Sequence, residues 1–149
     1  MYFWRIEELK SKMKSAPLSE RETLPYFLVF LLSTEFASLI PSPPTMNYWD
    51  YATIIYGAAL TLLGTLYLYR LNGGNGGAFF VQRYLALGWV TALRVIAGAL
   101  PAFVVLNIFI RMPNDGNGFS FGYFALVGLF LYQRLGRHIH DIASNGAAI

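Results

Sequence analysis

Apolar residues arrive along this chain in long blocks, not in the alternation of a half-buried strand. Four blocks stand out: "LPYFLVFLLSTEFASLI" (24–40), "YATIIYGAALTLLGTLYLYRL" (51–71), "AFFVQRYLALGWVTALRVIAGALPAFVVLNIFI" (78–110) and "FSFGYFALVGLFLYQRLG" (119–136). A helix of about 20 apolar residues crosses the hydrocarbon core of a bilayer, so the pattern predicts four transmembrane spans. "PSPP" closes the first, because proline cannot continue a helix. The third is longer than a bilayer requires and is expected to tilt, project or bend near Pro101. The connections "PSPPTMNYWD", "NGGNGG" and "RMPNDGNG" are turn-rich. Consecutive spans are therefore expected to be antiparallel neighbours in a bundle.

A different pattern precedes the first block. In "MYFWRIEELKSKMKS", Tyr2, Ile6, Leu9 and Met13 share one helical face, while Lys10, Lys12 and Lys14 lie largely off it. Phe3 and Trp4 thicken the apolar end. This predicts an amphipathic helix in the membrane interface, with Trp4, Arg5 and the three lysines at anionic headgroups. The alternative is a helix that docks a cytoplasmic protein. Downstream, Ser19 and Glu22 have the S-x-x-E spacing of a capping box, and Pro25 offers a competing helix start.

The expected fold class is thus an all-α integral membrane protein, a four-transmembrane-helix bundle. Its predicted organisation is a cytoplasmic amphipathic helix over 1–18, the transmembrane domain over 19–142 and a flexible tail over 143–149. Composition agrees: 56% of the residues are hydrophobic and 13% charged, against roughly 25% charged in soluble domains.

The net charge of +3 is explained by topology, because the basic residues sit between apolar blocks. No direct nucleic-acid binding is expected. With four crossings, Arg5, Lys10, Lys12, Lys14, Arg21, Arg70, Arg83, Arg134 and Arg137 fall on one side. The other side holds Arg111, beside Asp50 and Asp115. Both termini are expected in the cytoplasm. No signal-peptide pattern occurs, which points to a bacterial inner membrane. The chain has no cysteine, so disulfides and thiolate chemistry are excluded.

Two ionisable residues remain inside the blocks, Glu35 and Arg94. An arginine at the centre of a bilayer costs on the order of 3 kcal/mol and should face protein or water. By helical rise, Glu35 lies roughly 7 to 8 Å from the outer end of its span and Arg94 roughly 18 Å or more from that of its own. Three roles are open to Arg94: bonding carbonyls or hydroxyls within the bundle, pairing with Glu35, or lining a polar pathway. Thr34 and Ser38, one turn apart beside Glu35, form a polar stripe that lines water or bonds a neighbouring helix.

Small residues mark helix-packing faces: Gly57, Thr61, Gly64 and Thr65 in the second block, Gly88 and Ala92 in the third, Gly122 and Gly128 in the fourth. Four helices have more such faces than an internal bundle needs, so homo-oligomerisation is expected; the alternative is that the bundle uses them all.

Residue patterns that imitate chemistry do not carry it. The histidines of "RHIHDI" are two apart, unlike a helical zinc pair, and are expected at the solvated end of the last helix. "NGGNGG" lacks the Lys-Ser/Thr of a phosphate loop, and "NDGNG" has too few carboxylates for calcium. No catalytic residues, metal or cofactor are expected. The leading functional expectation is a non-catalytic membrane anchor, sensor or effector subunit of a multicomponent system, antiphage defence among them, with a soluble cytoplasmic partner. The alternatives are a homo-oligomeric pore or channel, and an accessory subunit of a respiratory or transport complex.

Overall fold

Helix starts follow local signals closely. In the computed structural model, which describes residue 2 and residues 5–38, 45–110 and 116–145, the chain forms α1 (Ile6–Ser15), α2 (Glu20–Ser38), α3 (Tyr48–Leu71), α4 (Phe80–Ile110) and α5 (Gly118–Asn145). A 3-10 turn, Gly74–Gly76, joins α3 to α4. No strand occurs among the described residues.

Glu22 of α2 reaches back to the Ser19 backbone N–H at 3.0 Å and accepts from its hydroxyl at 2.9 Å. The helix therefore begins at Glu20 and carries Pro25 inside it, so the proline does not reset the start. Asn47 caps α3 with a complete capping box: its side chain accepts from the N–H groups of Trp49 and Asp50, and Asp50 returns a bond to the Asn47 N–H at 2.8 Å. Between α3 and α4, Gly73 sits at φ +100°, a left-handed conformation that glycine enters without steric cost.

Among the described residues, two helices are long and apolar enough to cross a membrane, α3 and α4. Of the four spans expected, these two are met; the described parts of α2 and α5 carry more charge and polarity. Helix α2 opens on Glu20, Arg21 and Glu22 and carries Glu35, and the last turns of α5 hold Gln133, Arg134, Arg137, His138, His140 and Asp141.

Neighbour relations also differ from expectation. Helix α5 packs on both α3 and α4, and α2 packs on α4, giving the spatial order α3–α5–α4–α2. Chain neighbours α2 and α3 are not a major packing pair, nor are α3 and α4. Glycines decide this. A Cβ on Gly64 would lie 2.4 Å from the Tyr132 ring, one on Gly128 2.7 Å from Leu60, and one on Gly136 2.9 Å from Tyr67 and Leu71. The α3–α5 seam is thus an interlock of bare backbone and large side chains, closer than side-chain-bearing faces would permit.

The buried core gathers at one end of the molecule. It joins Ile6, Leu9 and Met13 of α1 to Leu68 of α3, Ala86, Leu87 and Val90 of α4 and Leu135, Ile139 and Ile142 of α5. Two expectations change here. The apolar face of α1 is covered by α4 and α5. Helix α5 runs on through Asn145, so the segment around His138 is not a solvated end: His138, Ile139 and Ile142 are buried.

Candidate functional site

The packed end is also the charged end. Lys10 and Lys14 of α1 both bond the carboxylate of Asp141 on α5, at 2.5 Å and 2.9 Å, and Lys10 also bonds Glu7 at 3.2 Å. Lys12 bonds Glu22 of α2. Hydrogen bonds from Lys10 and Lys14 hold the Asp141 carboxyl at about 2, below the ordinary carboxylate range. Lys12, with help from Ser19, holds Glu22 at about 2 as well. Burial works against the Lys10 charge, but its bonds to Asp141 and Glu7 outweigh that and raise it. Bonding to Glu22 raises Lys12.

Further contacts at this end tie the helices together. Gln82 of α4 donates to the Leu18 carbonyl, and Arg83 donates to Asn72 at 2.8 Å. Asn72 donates in turn to the Ala78 carbonyl at 3.2 Å, which closes the α3–α4 turn. These contacts place α1, the start of α2, the end of α3, the start of α4 and the end of α5 together, so α2 to α5 alternate in direction.

Beside this network runs a groove of about 670 Å³ between α4 and α5, lined by Thr91, Arg94, Val95, Ala99, Leu126, Phe130, Arg134 and His138 among others. Burial holds the His138 imidazole below its ordinary value, with repulsion from Lys10 and Arg134 in the same direction, a pull the other way from Glu7, and a further push down from Arg94. The Thr91 residue is 2% exposed, and its hydroxyl has no hydrogen-bond partner among the described residues.

Arg94 therefore comes together with Arg134, His138 and Thr91. Helix α2 approaches another side of α4: its Phe30 shares a cavity with Leu85, Gly88 and Ala92, and Arg94 is about 200° around the helix from Ala92. Glu35 is exposed on α2. The side chains of Thr34 and Ser38, and all of Trp4, lie outside the described residues. Arg5 is exposed and bridges Glu8 at 3.4 Å. Lys10, Lys12 and Lys14 have the intramolecular partners already named.

The small residues divide into two groups. Gly64 and Gly128 belong to the α3–α5 seam, and Thr61 and Thr65 lie on α3 on the turns around Gly64. Gly88 has Leu135 at ordinary contact distance, 3.7 Å from where a Cβ would stand. Gly57 and Gly122 face open space: a Cβ on either would meet nothing within 4 Å.

Sequence reasoning missed Asp141, Thr91 and Tyr132. Asp141 carried a usable signal, as a lone carboxylate in a basic tail with three lysines unassigned to acids. Thr91 stands one turn before Arg94, which is the only hint that the two share a face. The wedging of Tyr132 between α3 and α5 depends on Gly64, 68 positions away in sequence.

Among the described residues, no group of three His, Cys, Asp or Glu side chains comes close enough to hold a metal. No protein family, curated protein or solved structure matches the chain.

Proposed function

We propose that the chain is a non-catalytic integral membrane protein that self-associates in the bilayer and serves as an anchor or effector subunit for a soluble partner. One observation carries this reading: the molecule has a charged, packed end and a long apolar end whose outer faces are left uncovered. In the most apolar stretch of α4, 0% of the residues are buried, and in that of α3, 11%. Phe109 is 81% exposed and Ile55 69%. The core helix of a water-soluble protein would bury these faces, since each Å² of apolar surface left in water forgoes about 25 cal/mol, and contiguous apolar patches of this kind mark membrane or partner contact.

In this reading α2 and α5 cross beside α4 and α3, and lipid covers what protein does not. The basic end faces the cytoplasm, following the positive-inside rule, with a bacterial inner membrane as the setting. Self-association uses the open glycine positions, Gly57 on α3 and Gly122 on α5, where another helix backbone can approach. The soluble partner meets the exposed basic residues of the packed end, Arg70 and Arg137 among them.

The absence of cysteine makes the test direct. Single cysteines are placed at Ser15, exposed at the packed end, and at Met46, exposed at the far end, and labelled with a membrane-impermeant maleimide. Labelling of the two sites from opposite faces of the membrane is expected. Recovery of the chain in the aqueous fraction, or labelling of both sites from one face, overturns the reading. Gly57→Leu is expected to weaken cross-linking between copies while leaving helicity unchanged.

A further inference from the structure

We propose that the α4–α5 groove seats an anionic phospholipid, its phosphate held between Arg94 and Arg134 and its acyl chain laid along Val95, Ala99, Leu126 and Phe130. The inference rests on the membrane reading above and assigns that membrane a specific lipid contact.

Three observations point to this occupant. Arg94 lies sixteen residues before the end of α4 at Ile110, and Arg134 lies sixteen residues after the start of α5 at Gly118. Because the two helices run in opposite directions, both guanidiniums stand at one level, about 24 Å from the far end. That is most of the roughly 30 Å depth of a hydrocarbon core, so the two backbones lie about 6 Å inside the basic-side leaflet, a distance an arginine side chain spans to reach the headgroups.

The lining is complementary to an anion with a tail. It holds two arginines and a histidine, no carboxylate, and apolar side chains beyond them toward the far end. Arginine suits phosphate because its planar fork of donors matches the oxygens. The nearby carboxylate, Glu7, is engaged by Lys10. Burial is the main reason His138 is held below its ordinary value, and Lys10, Arg134 and Arg94 push it the same way.

The third observation is the Thr91 hydroxyl. Its residue is nearly sealed from solvent, it lines the groove, and it has no partner among the described residues. A buried hydroxyl without a bond costs about 1 to 3 kcal/mol, and a phosphate oxygen in the groove is an acceptor for it. A free phosphate would leave the apolar walls unused; a phospholipid fills both parts.

The test uses the full chain in mild detergent, offered phosphatidylglycerol or phosphatidylcholine with identical acyl chains and read by native mass spectrometry. Preferential retention of phosphatidylglycerol is expected. Arg94→Gln and Arg134→Gln should each reduce it about fivefold, and the double variant about twentyfold or more. Arg137→Gln, at the same end but outside the groove, should leave retention unchanged, and the double Arg→Lys variant should keep most of it.

Equal retention of the two lipids by the unaltered chain overturns the proposal without recourse to any variant. So does an equal loss in Arg137→Gln, which would reduce the effect to general basic charge, or complete displacement by millimolar inorganic phosphate. A chain found in the aqueous fraction instead overturns the membrane reading, whereas a membrane-integrated chain without lipid preference overturns this inference alone.

Discussion

Tyr132 of α5 lies flat against the bare backbone of Gly64 on α3, so close that a single methyl group there would stand 2.4 Å from the ring. Gly64→Ala is therefore expected to destabilise the fold by about 1 to 3 kcal/mol through overpacking. Gly57→Ala, seven residues along the same helix but facing open space, should stay within about 0.5 kcal/mol. Equilibrium unfolding of both variants in the same detergent checks the contrast, and equal losses would mean that the seam is not closed in solution.

Acid should release α1 before it unfolds the rest. Asp141 and Glu22 are held at about 2 in the folded chain, against about 4 for free carboxyls. A carboxyl with a lowered folded value contributes stability above its unfolded value and loses it as pH falls toward the folded one. The contribution is thus intact at neutral pH and fades between about pH 4 and pH 2. Hydrogen exchange across α1 should rise in that window while the exchange of α3 and α4 stays low. Asp141→Asn should bring part of the rise to neutral pH.

Leu9 is 0% exposed, on the face of α1 that meets α4 and α5. Leu9→Ala should cost about 2 to 5 kcal/mol in docking, visible as protease cleavage within residues 6–15. Were α1 held by lipid alone, the cost would depend on bilayer composition and vanish in detergent.

At the opposite end, Asn47 caps α3 and its side-chain amide also donates to the Gly116 carbonyl at 2.8 Å, linking α3 to the segment that opens α5. Asn47→Ala should lose about 1 kcal/mol for the cap and about as much again for the cross-link. Asn47→Asp, which keeps the cap but not the amide donor, should recover the first part only. Thermal unfolding of the pair separates the two contributions.

Helix positions were largely legible, because 3.6-residue periodicity, proline stops and capping pairs are local. The Ser19–Glu22 spacing located the start of α2, and the apolar blocks located α3 and α4 within a few residues. Helix partners were not legible. A glycine states that something comes near, not what, so Gly64 and Gly136 gave no indication that α5 would lie between α3 and α4. The lead-in shows the same limit. Its periodicity revealed a face in need of cover, but a lipid surface and the Ile139–Ile142 side of α5 satisfy that need equally in sequence terms. The lysines followed the same logic, since Asp141 is 127 positions from Lys14. The Arg94 site was half legible: its cost inside an apolar run announced a polar neighbourhood, and only the matched lengths of α4 and α5 showed that the neighbour is Arg134.

The bond between Lys14 and Asp141 closes over 127 positions, which sets an order of events during synthesis. At about 5 to 20 residues per second, α1 is complete roughly 6 to 25 s before the ribosome has made the surface that will receive it. Through that interval Ile6, Leu9 and Met13 lack the α5 part of their cover, and until α4 emerges the nearest oily boundary is the lipid surface itself. Newborn chains stopped before α5 should therefore hold their first helix on the bilayer, and completion of the last helix is what peels it away.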